Sequence, residues 1–269
     1  MMKNISLSYG EEISYKITGS GPAILHIHGS AFGHKNFDKL TPLMEKDFSV
    51  IDFDLPGYGN STGVSRGNGI HGIADQVADF IRALNFSKLH IHGTSFGAML
   101  ALSLASRHPQ LVDKLILSCL LLRYDNAARM MRNTWKIVAN EIGMEAVADL
   151  TSVAGFARSF YDSDGCQLQL QAMRNAFAKT QPSAFISGTR IIEETDLSSL
   201  LTAVKKPMLL LAGEEDNMTP YKPSPSGVGM SHIMQSVQNC QLEVLKDCGH
   251  YLVIEKPEMT ANLIHNYIY

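Results

Sequence analysis

The sequence is poor in charge and has no long apolar run. Among 269 residues, 18% are charged, and the formal net charge is −3 with no run of like charges. A nucleic-acid-binding chain would carry a basic patch, and none is visible, so no nucleic-acid partner is expected. The longest apolar stretch, near Leu115 to Leu122, is far too short to span a bilayer, so no membrane partner is expected either.

Cysteines are few, and the beginning of the chain is polar. Met1 to Tyr15 lacks the apolar core of a signal peptide, which favours a cytoplasmic protein. The spacing of the cysteines, with no Cys-x-x-Cys pair, is typical of reduced thiols rather than of a disulfide framework or a zinc site. They are Cys119, Cys166, Cys240 and Cys248. Cys248 precedes His250 by two residues, but groups so close in sequence rarely form a productive dyad.

Apolar residues make up 45% of the chain, enough to bury a substantial core, and the length suits one large α/β domain with an insertion or two small domains. Short apolar runs alternate with helical patterns. Their continuous hydrophobicity is typical of parallel strands that are covered on both faces. The predicted strands are Ala23–Ile27, Val50–Phe53, Leu89–His92, Lys114–Leu117, Met208–Leu211 and Leu242–Leu245.

The remaining patterns complete a doubly wound α/β arrangement. Ile5–Tyr9 and Ile13–Ile17 alternate in polarity and predict an antiparallel hairpin at the sheet edge. Helical spacing of apolar residues predicts an amphipathic helix over 70–84. Phe96–Ala105 is apolar nearly all round and predicts a buried helix, whereas Pro257 is suited to begin the last helix.

The stretch from about 120 to 205 breaks this alternation and predicts helices without a convincing strand. Two apolar stripes support the helices. The first comprises Ala127, Met130, Met131, Thr134, Trp135, Val138 and Ile142, and the second comprises Leu168, Leu170, Met173, Ala176 and Phe177. A helical block between two strand–helix stretches predicts a lid over one end of the sheet. Tyr221–Gly229 is rich in Pro, Ser and Gly and is predicted to be a surface loop.

The most specific motif is Gly93-Thr94-Ser95-Phe96-Gly97, which follows a predicted strand and begins a predicted helix. In that context Gly-x-Ser-x-Gly forms a sharp turn that exposes the serine hydroxyl, and the small glycines let neighbouring backbone approach. The helix N-terminus directs free N–H groups at the same place. Ser95 is therefore the candidate nucleophile.

A second segment supplies a candidate oxyanion hole. His28-Gly29-Ser30 follows the strand Ala23–Ile27 and so lies at the carboxyl edge of a parallel sheet, where ligands bind. The main-chain N–H groups of Ser30 and Phe96 are the two candidate donors. We expect His28 to be structural, since a histidine at a strand end commonly bonds loop backbone. We also expect the loop from Asp54 to Ser61 to support the site without taking part in the chemistry.

An acid and a base follow later strands. Glu214, Glu215 and Asp216 come after the strand Met208–Leu211, and a carboxylate there can orient a histidine. His250 follows the last predicted strand and would accept the Ser95 proton. The order serine, acid, histidine fits an α/β-hydrolase, although position alone leaves the three acids in competition.

Taken together, these motifs resemble the α/β-hydrolase superfamily, in its lid-bearing branch of serine esterases, lactonases and carbon–carbon hydrolases. The resemblance rests on His28-Gly29, Asp54-x-x-Gly57-x-Gly59-x-Ser61, Gly93-x-Ser95-x-Gly97, Gly213-x-x-Asp216-x-x-x-Pro220 and Gly249-His250. It implies a mostly parallel eight-stranded sheet with a core at 1–119 and 206–269 and a helical lid at 120–205. It also favours Asp216 as the acid, because that position matches the family's usual one.

The resemblance implies a small-molecule substrate, with ester or lactone hydrolysis through an acyl-enzyme that needs no cofactor and no metal. Serine at 95, rather than aspartate, argues against dehalogenases and epoxide hydrolases. Two alternatives remain open, namely a carbon–carbon hydrolase of a ring-fission dienoate and a ligand receptor that retains the triad. Homo-oligomerisation is also open. Lid arginines are candidates to pair a substrate carboxylate. They are Arg123, Arg129, Arg132, Arg158, Arg174 and Arg190.

Overall fold

The computed structural model describes residues 1–8, 10–63 and 67–269. An eight-stranded sheet forms its centre, in the order β1-β2-β4-β3-β5-β6-β8-β10, and β7 pairs with β9 in a separate ribbon. The strands are β1 Lys3–Ser6, β2 Glu12–Thr18, β3 Ala23–Ile27, β4 Ser49–Phe53, β5 Leu89–Thr94, β6 Val112–Ser118, β7 Leu121–Arg123, β8 Met208–Gly213, β9 Val228–Gly229 and β10 Cys240–Leu245.

Helices cover both faces of the sheet and fill the interval between β7 and β8. They are α1 Thr41–Met44, α2 Gly69–Ala83, α3 Phe96–Arg107, α4 Asn126–Glu141, α5 Met144–Gly155, α6 Cys166–Phe177, α7 Pro182–Glu194, α8 Leu200–Ala203, α9 Met230–Ser236, α10 Leu252–Glu255 and α11 Pro257–Ile268. Short 3₁₀ turns span Gly33–Phe37, Pro109–Leu111 and Arg158–Asp162. None of these helices, within the described ranges, has both the length and the apolarity to traverse a bilayer.

The predicted fold class is confirmed. From β4 to β10 every neighbouring pair in the large sheet is parallel, and only β1 and β2 add antiparallel pairings at one edge. Central strands β5 and β8 are buried along their whole length, which explains their uninterrupted apolar sequence. At the opposite edge β10 alternates between half-buried and exposed residues, because one of its faces meets solvent.

Several local expectations hold with small shifts of boundary. The edge hairpin pairs Ile5 with Ile13, although its first strand ends at Ser6; Tyr9, where the prediction ended, lies outside the described residues. Helix α2 begins and ends one residue earlier than predicted. Helix α3 is buried nearly all round, and α11 begins at Pro257 as expected.

Four expectations for the second half of the chain are wrong in whole or in part. A strand does occur in 120–205, because β7 pairs antiparallel with β9; residues 228–229 are therefore buried ribbon rather than surface loop. The buried stripe of α4 is also displaced from the predicted one. It consists of Ala128, Arg132, Trp135 and Ala139, whereas Met130, Thr134 and Ile142 are exposed. In the α6 stripe, Leu168 is exposed, while Met173 and Phe177 are buried.

Candidate active site

Ser95 lies at the turn between β5 and α3, in a strained backbone conformation with φ 54° and ψ −115°. A non-glycine residue at such angles costs about 1–3 kcal/mol, and surrounding structure must hold it there. Part of that restraint comes from the Ser95 N–H, which donates to the Ser118 carbonyl of the neighbouring strand at 2.8 Å. The hydroxyl is thereby directed to the carboxyl edge of the sheet.

The flanking glycines explain why the turn can be so tight. A Cβ on Gly93 would collide with the backbone of Gly97 and Ala98, and a Cβ on Gly97 would collide with the backbone of Ile27 and His28. Both positions therefore admit glycine alone without backbone movement. The motif thus brings α3 close against β3 and β5.

His250 and Asp216 form a buried hydrogen-bonded pair. His250 Nδ1 is 3.0 Å from Asp216 Oδ2, and Asp216 Oδ1 accepts from the backbone N–H groups of Met218 and Thr219 at 2.8 and 2.9 Å. Burial acts to raise the pKa of Asp216, but His250 and these hydrogen bonds outweigh it, so the pKa is lowered. The carboxylate is therefore ionised at neutral pH and can hold an imidazolium.

Thr219 is a member of this group that the sequence reading missed. Its hydroxyl lies 2.7 Å from Asp216 Oδ2, 3.0 Å from His250 Nδ1 and 2.9 Å from the Cys119 carbonyl. A single threonine in a sequence does not by itself indicate a contact with an acid and a histidine. The available signal was its position three residues after Asp216, because a turn organised by the Asp216 side chain brings that residue close to the carboxylate.

Ser95 and His250 line one partly open cavity, which encloses about 520 Å³ when the space open to solvent is included. No hydrogen bond joins the Ser95 hydroxyl to His250 within the described part of the chain, where His250 Nδ1 contacts Asp216 and Thr219. Much of the remaining lining comes from helices α4 to α7. Those contributions are Arg132, Trp135, Thr151, Phe177 and Phe185. The predicted division into a core at 1–119 and 206–269 and a lid at 120–205 remains a proposal.

The two candidate oxyanion donors lie beside the serine. Ser30 lines the same cavity, and Gly29 packs against Ser95, since a Cβ on Gly29 would be 3.5 Å from the Ser95 Cβ. Phe96 begins α3, so its N–H belongs to the first turn, which has no intrahelical acceptor. Asn36 Oδ1 accepts from both the Gly29 N–H and the Thr94 hydroxyl at 3.0 Å, which ties the two loops together.

The neighbouring polar residues have structural partners. His28 bridges two loops, since its Nε2 accepts from the Leu55 N–H and its Nδ1 contacts the Gly29 carbonyl. Asp54 accepts from the backbone N–H groups of His34 and Asn60. Both interactions match the architectural roles expected for these segments.

The other acids lie away from the histidine. Glu214 is exposed, and Glu215 accepts from the Arg158 N–H. Asp125, which precedes α4, caps that helix by accepting from the Ala128 N–H and also accepts from the Ser224 N–H.

Similarity to known proteins now places the chain in a family. The profile of the α/β-hydrolase fold matches residues 22–257, which is most of the chain. The chain belongs to the α/β-hydrolase-fold family.

Relatives within this family act on esters and a lactone. A pimeloyl-[acyl-carrier protein] methyl ester esterase of Nitrosomonas europaea is 25% identical, covering 91% of this chain and 95% of that protein. The 3-oxoadipate enol-lactonase 1 of Acinetobacter baylyi is 24% identical, covering 96% and 94%. The solved structure of an esterase from Exiguobacterium antarcticum superposes with a TM-score of 0.88 at 18% identity, covering 100% of this chain and 99% of that one, which bears on the fold alone.

Two thiols of this α/β hydrolase, those of Cys119 and Cys248, are buried close to the candidate triad. Cys119, Asp216 and His250 lie close enough together to hold an ion. Burial raises the pKa of the Cys119 thiol well above its usual value, and Asp216 raises it further, so this thiol is protonated at neutral pH. Burial likewise raises the pKa of Cys248, whose Sγ contacts the Gly249 carbonyl; a Cys–His dyad is not supported.

Proposed function

We propose that this chain is a serine hydrolase that cleaves a small carboxylic ester or lactone through an acyl-enzyme. The observation that carries the proposal is the strained Ser95 turn facing the same cavity as the Asp216–His250 pair. Hydrolase activity in general is supported by the relatives, which include an esterase and an enol-lactonase.

In the first half of the proposed reaction, Ser95 Oγ forms a bond to the substrate carbonyl carbon while His250 takes its proton. Asp216 holds Nδ1 of the imidazole, so Nε2 is the nitrogen left to act as the base. The N–H groups of Ser30 and Phe96 stabilise the oxyanion. The bond between the carbonyl carbon and the leaving-group oxygen then breaks, and His250 returns the proton to the departing alkoxide.

In the second half, His250 removes a proton from water, and the resulting hydroxide attacks the acyl-enzyme carbonyl. Collapse of the tetrahedral intermediate breaks the bond to Ser95 Oγ, which regains its proton from His250. The product is a free carboxylic acid. Every proton and bond is accounted for by substrate, water and the side chains of the chain.

A fluorophosphonate probe tests the nucleophile. We expect labelling of the wild type and of Ser199→Ala, an exposed-serine control, and no labelling of Ser95→Ala. Equal labelling of Ser95→Ala would refute the assignment.

A substrate panel tests the reaction class. It comprises p-nitrophenyl acetate and butyrate, several lactones and a ring-fission dienoate. Rapid turnover of the dienoate alone would favour carbon–carbon hydrolysis. Failure on every compound, with saturable binding of one of them, would favour a receptor.

A further inference from the structure

Arg132 is a buried cation in the cavity that holds Ser95 and His250. It lies on the inner face of α4, only 3% of its surface is exposed, and its side chain contributes to the cavity wall. Burying a guanidinium is costly unless an anion or several hydrogen bonds compensate it. The groups that surround Arg132 therefore show whether its charge is compensated within the chain.

The partners of Arg132 are all uncharged. Its Nη2 donates to the Tyr124 hydroxyl at 2.8 Å, and its guanidinium carbon lies 4.6 Å from the centre of the Tyr124 ring and 5.4 Å from that of Trp135. Within residues 1–8, 10–63 and 67–269, no carboxylate oxygen lies within 4.0 Å of its nitrogens, and the carboxylate of the candidate triad, Asp216, is bonded to His250. The rings fix the guanidinium without neutralising it.

Other arginines of the same helical region have conventional surroundings. Arg123 pairs with Asp196, and Arg174 with Glu145 and Asp149. Arg129, Arg158 and Arg190 are half-buried or exposed and do not line the cavity of Ser95. Arg132 differs from each of them in combining burial, a cavity position and the lack of an acidic partner within the described chain.

Arg132 shares one cavity with the candidate nucleophile. Ser95, His250 and Arg132 all line it. A ligand in this cavity can therefore meet the guanidinium with an anion while its carbonyl lies at Ser95.

A hydroxyl group beside the cavity lacks a hydrogen-bond partner. Ser30 lines the cavity, and its Oγ is buried and makes no hydrogen bond within the described part of the chain. Buried hydroxyls are normally bonded, so this one also suits a polar ligand. An apolar acyl chain would leave both Arg132 and this hydroxyl unsatisfied.

We propose that Arg132 binds a carboxylate of the substrate, so that the ester or lactone cleaved here carries a free carboxylate a few carbons from the scissile carbonyl. Guanidinium donors not used by Tyr124 remain for a charge-assisted contact to the carboxylate. This inference rests on the proposed hydrolase function and specifies its substrate class. It predicts discrimination against neutral acyl chains of equal length.

A matched substrate pair tests the inference, namely the mono-p-nitrophenyl ester of glutarate and p-nitrophenyl pentanoate. They share leaving group and chain length but differ by a carboxylate. For the wild type and for Arg190→Met, an exposed-arginine control, kcat/KM should be higher for the glutarate ester. In Arg132→Met the ratio of the two kcat/KM values should fall about 100-fold, the loss expected for a charged hydrogen bond. An unchanged ratio would overturn the inference, since a structural role lowers both rates equally.

A binding measurement separates this inference from the hydrolase proposal. Glutarate should raise the melting temperature of Ser95→Ala but not that of Ser95→Ala/Arg132→Met. If the latter variant does not fold, Ser95→Ala/Arg132→Lys, which keeps the charge but not the planar fork, should show a smaller rise. Arg132-dependent protection without turnover of either ester would leave the anion site standing and refute the hydrolase. Turnover of both esters without any effect of glutarate on the melting temperature would refute the anion site and leave the hydrolase proposal standing.

Discussion

The sheet with its flanking helices and the helical segment between β7 and β8 differ in how they use apolar and charged residues. Central strands of the sheet are fully buried and uncharged, and the candidate triad lies at their carboxyl ends. The helical segment instead leaves Leu168 79% and Val153 74% exposed, and it buries the charge of Arg132. The central strands therefore bury apolar residues and no charged ones, whereas the helical segment departs from that separation in both directions.

The largest effect should come from the acid at the end of β8. Replacing Asp216 by Asn should lower kcat by about a thousandfold or more, because the amide cannot stabilise the imidazolium. The nearby Glu214→Gln and Glu215→Gln should stay close to wild type, since neither side chain reaches His250. Steady-state kinetics with melting curves test this, and near-normal turnover of Asp216→Asn would contradict it.

Stability should differ between the two regions for the same chemical change. Leu117→Ala, at a fully buried position of β6, should cost about 2–5 kcal/mol of unfolding free energy, because it removes packed methyl groups and leaves a cavity. Leu168→Ala, on the exposed face of α6, should change it by less than about 0.5 kcal/mol. Denaturant titration measures both. Equal losses would mean that the helical segment is as tightly packed as the sheet.

Thr219 provides a smaller test of the chemistry at the sheet edge. Thr219→Val keeps the shape but removes the hydroxyl that contacts Asp216 and His250, so turnover should fall about tenfold. Thr219→Ser should restore most of the rate, since it restores the hydroxyl. If the serine variant is as slow as the valine variant, the methyl group rather than the hydroxyl is what matters.

The smallest effect concerns Glu255, where the two regions meet. Its carboxylate accepts from the Gly249 N–H on the core side and from the Ala157 N–H of the helical segment. Burial raises its pKa from 4.5 to about 7, although these hydrogen bonds oppose the rise. The folded state therefore binds more protons between these values, and this contribution to stability is lost as pH rises from about 4.5 to about 7.

Glu255→Gln should remove that dependence. The melting temperature of the wild type should drop more than that of the variant between pH 5 and pH 8, whichever protein is the more stable at pH 5. A parallel response of the two proteins would show that Glu255 does not titrate in this range.

Sequence patterns were most informative where local geometry and chemistry coincide. Gly93 and Gly97 predicted the Ser95 turn because only glycine fits where backbones meet, and buried parallel strands must be continuously apolar. The pairing of Asp216 with His250 followed the family resemblance, since position alone left Glu214 and Glu215 in competition.

The helical segment was predicted less well for a physical reason. Its helices expose apolar residues and bury a charge, so hydrophobic periodicity displaced the buried face of α4. Met130 and Ile142 were expected inside but are exposed, whereas Arg132 is buried. Likewise β7 depends on β9, about a hundred residues later, and such pairing has no local signature. Thr219 was missed because its role arises from three separate loops meeting.

The backbone N–H of His250 donates to the carbonyl of Gly155, the last residue of α5. Any movement of α5 must therefore carry the histidine along or break this bond. In chimaeras that exchange helical segments among related hydrolases, transplanting residues that contact the ligand would be insufficient. The donor segment must also present a carbonyl at this point, or the imidazole would lose its alignment even with every catalytic side chain retained.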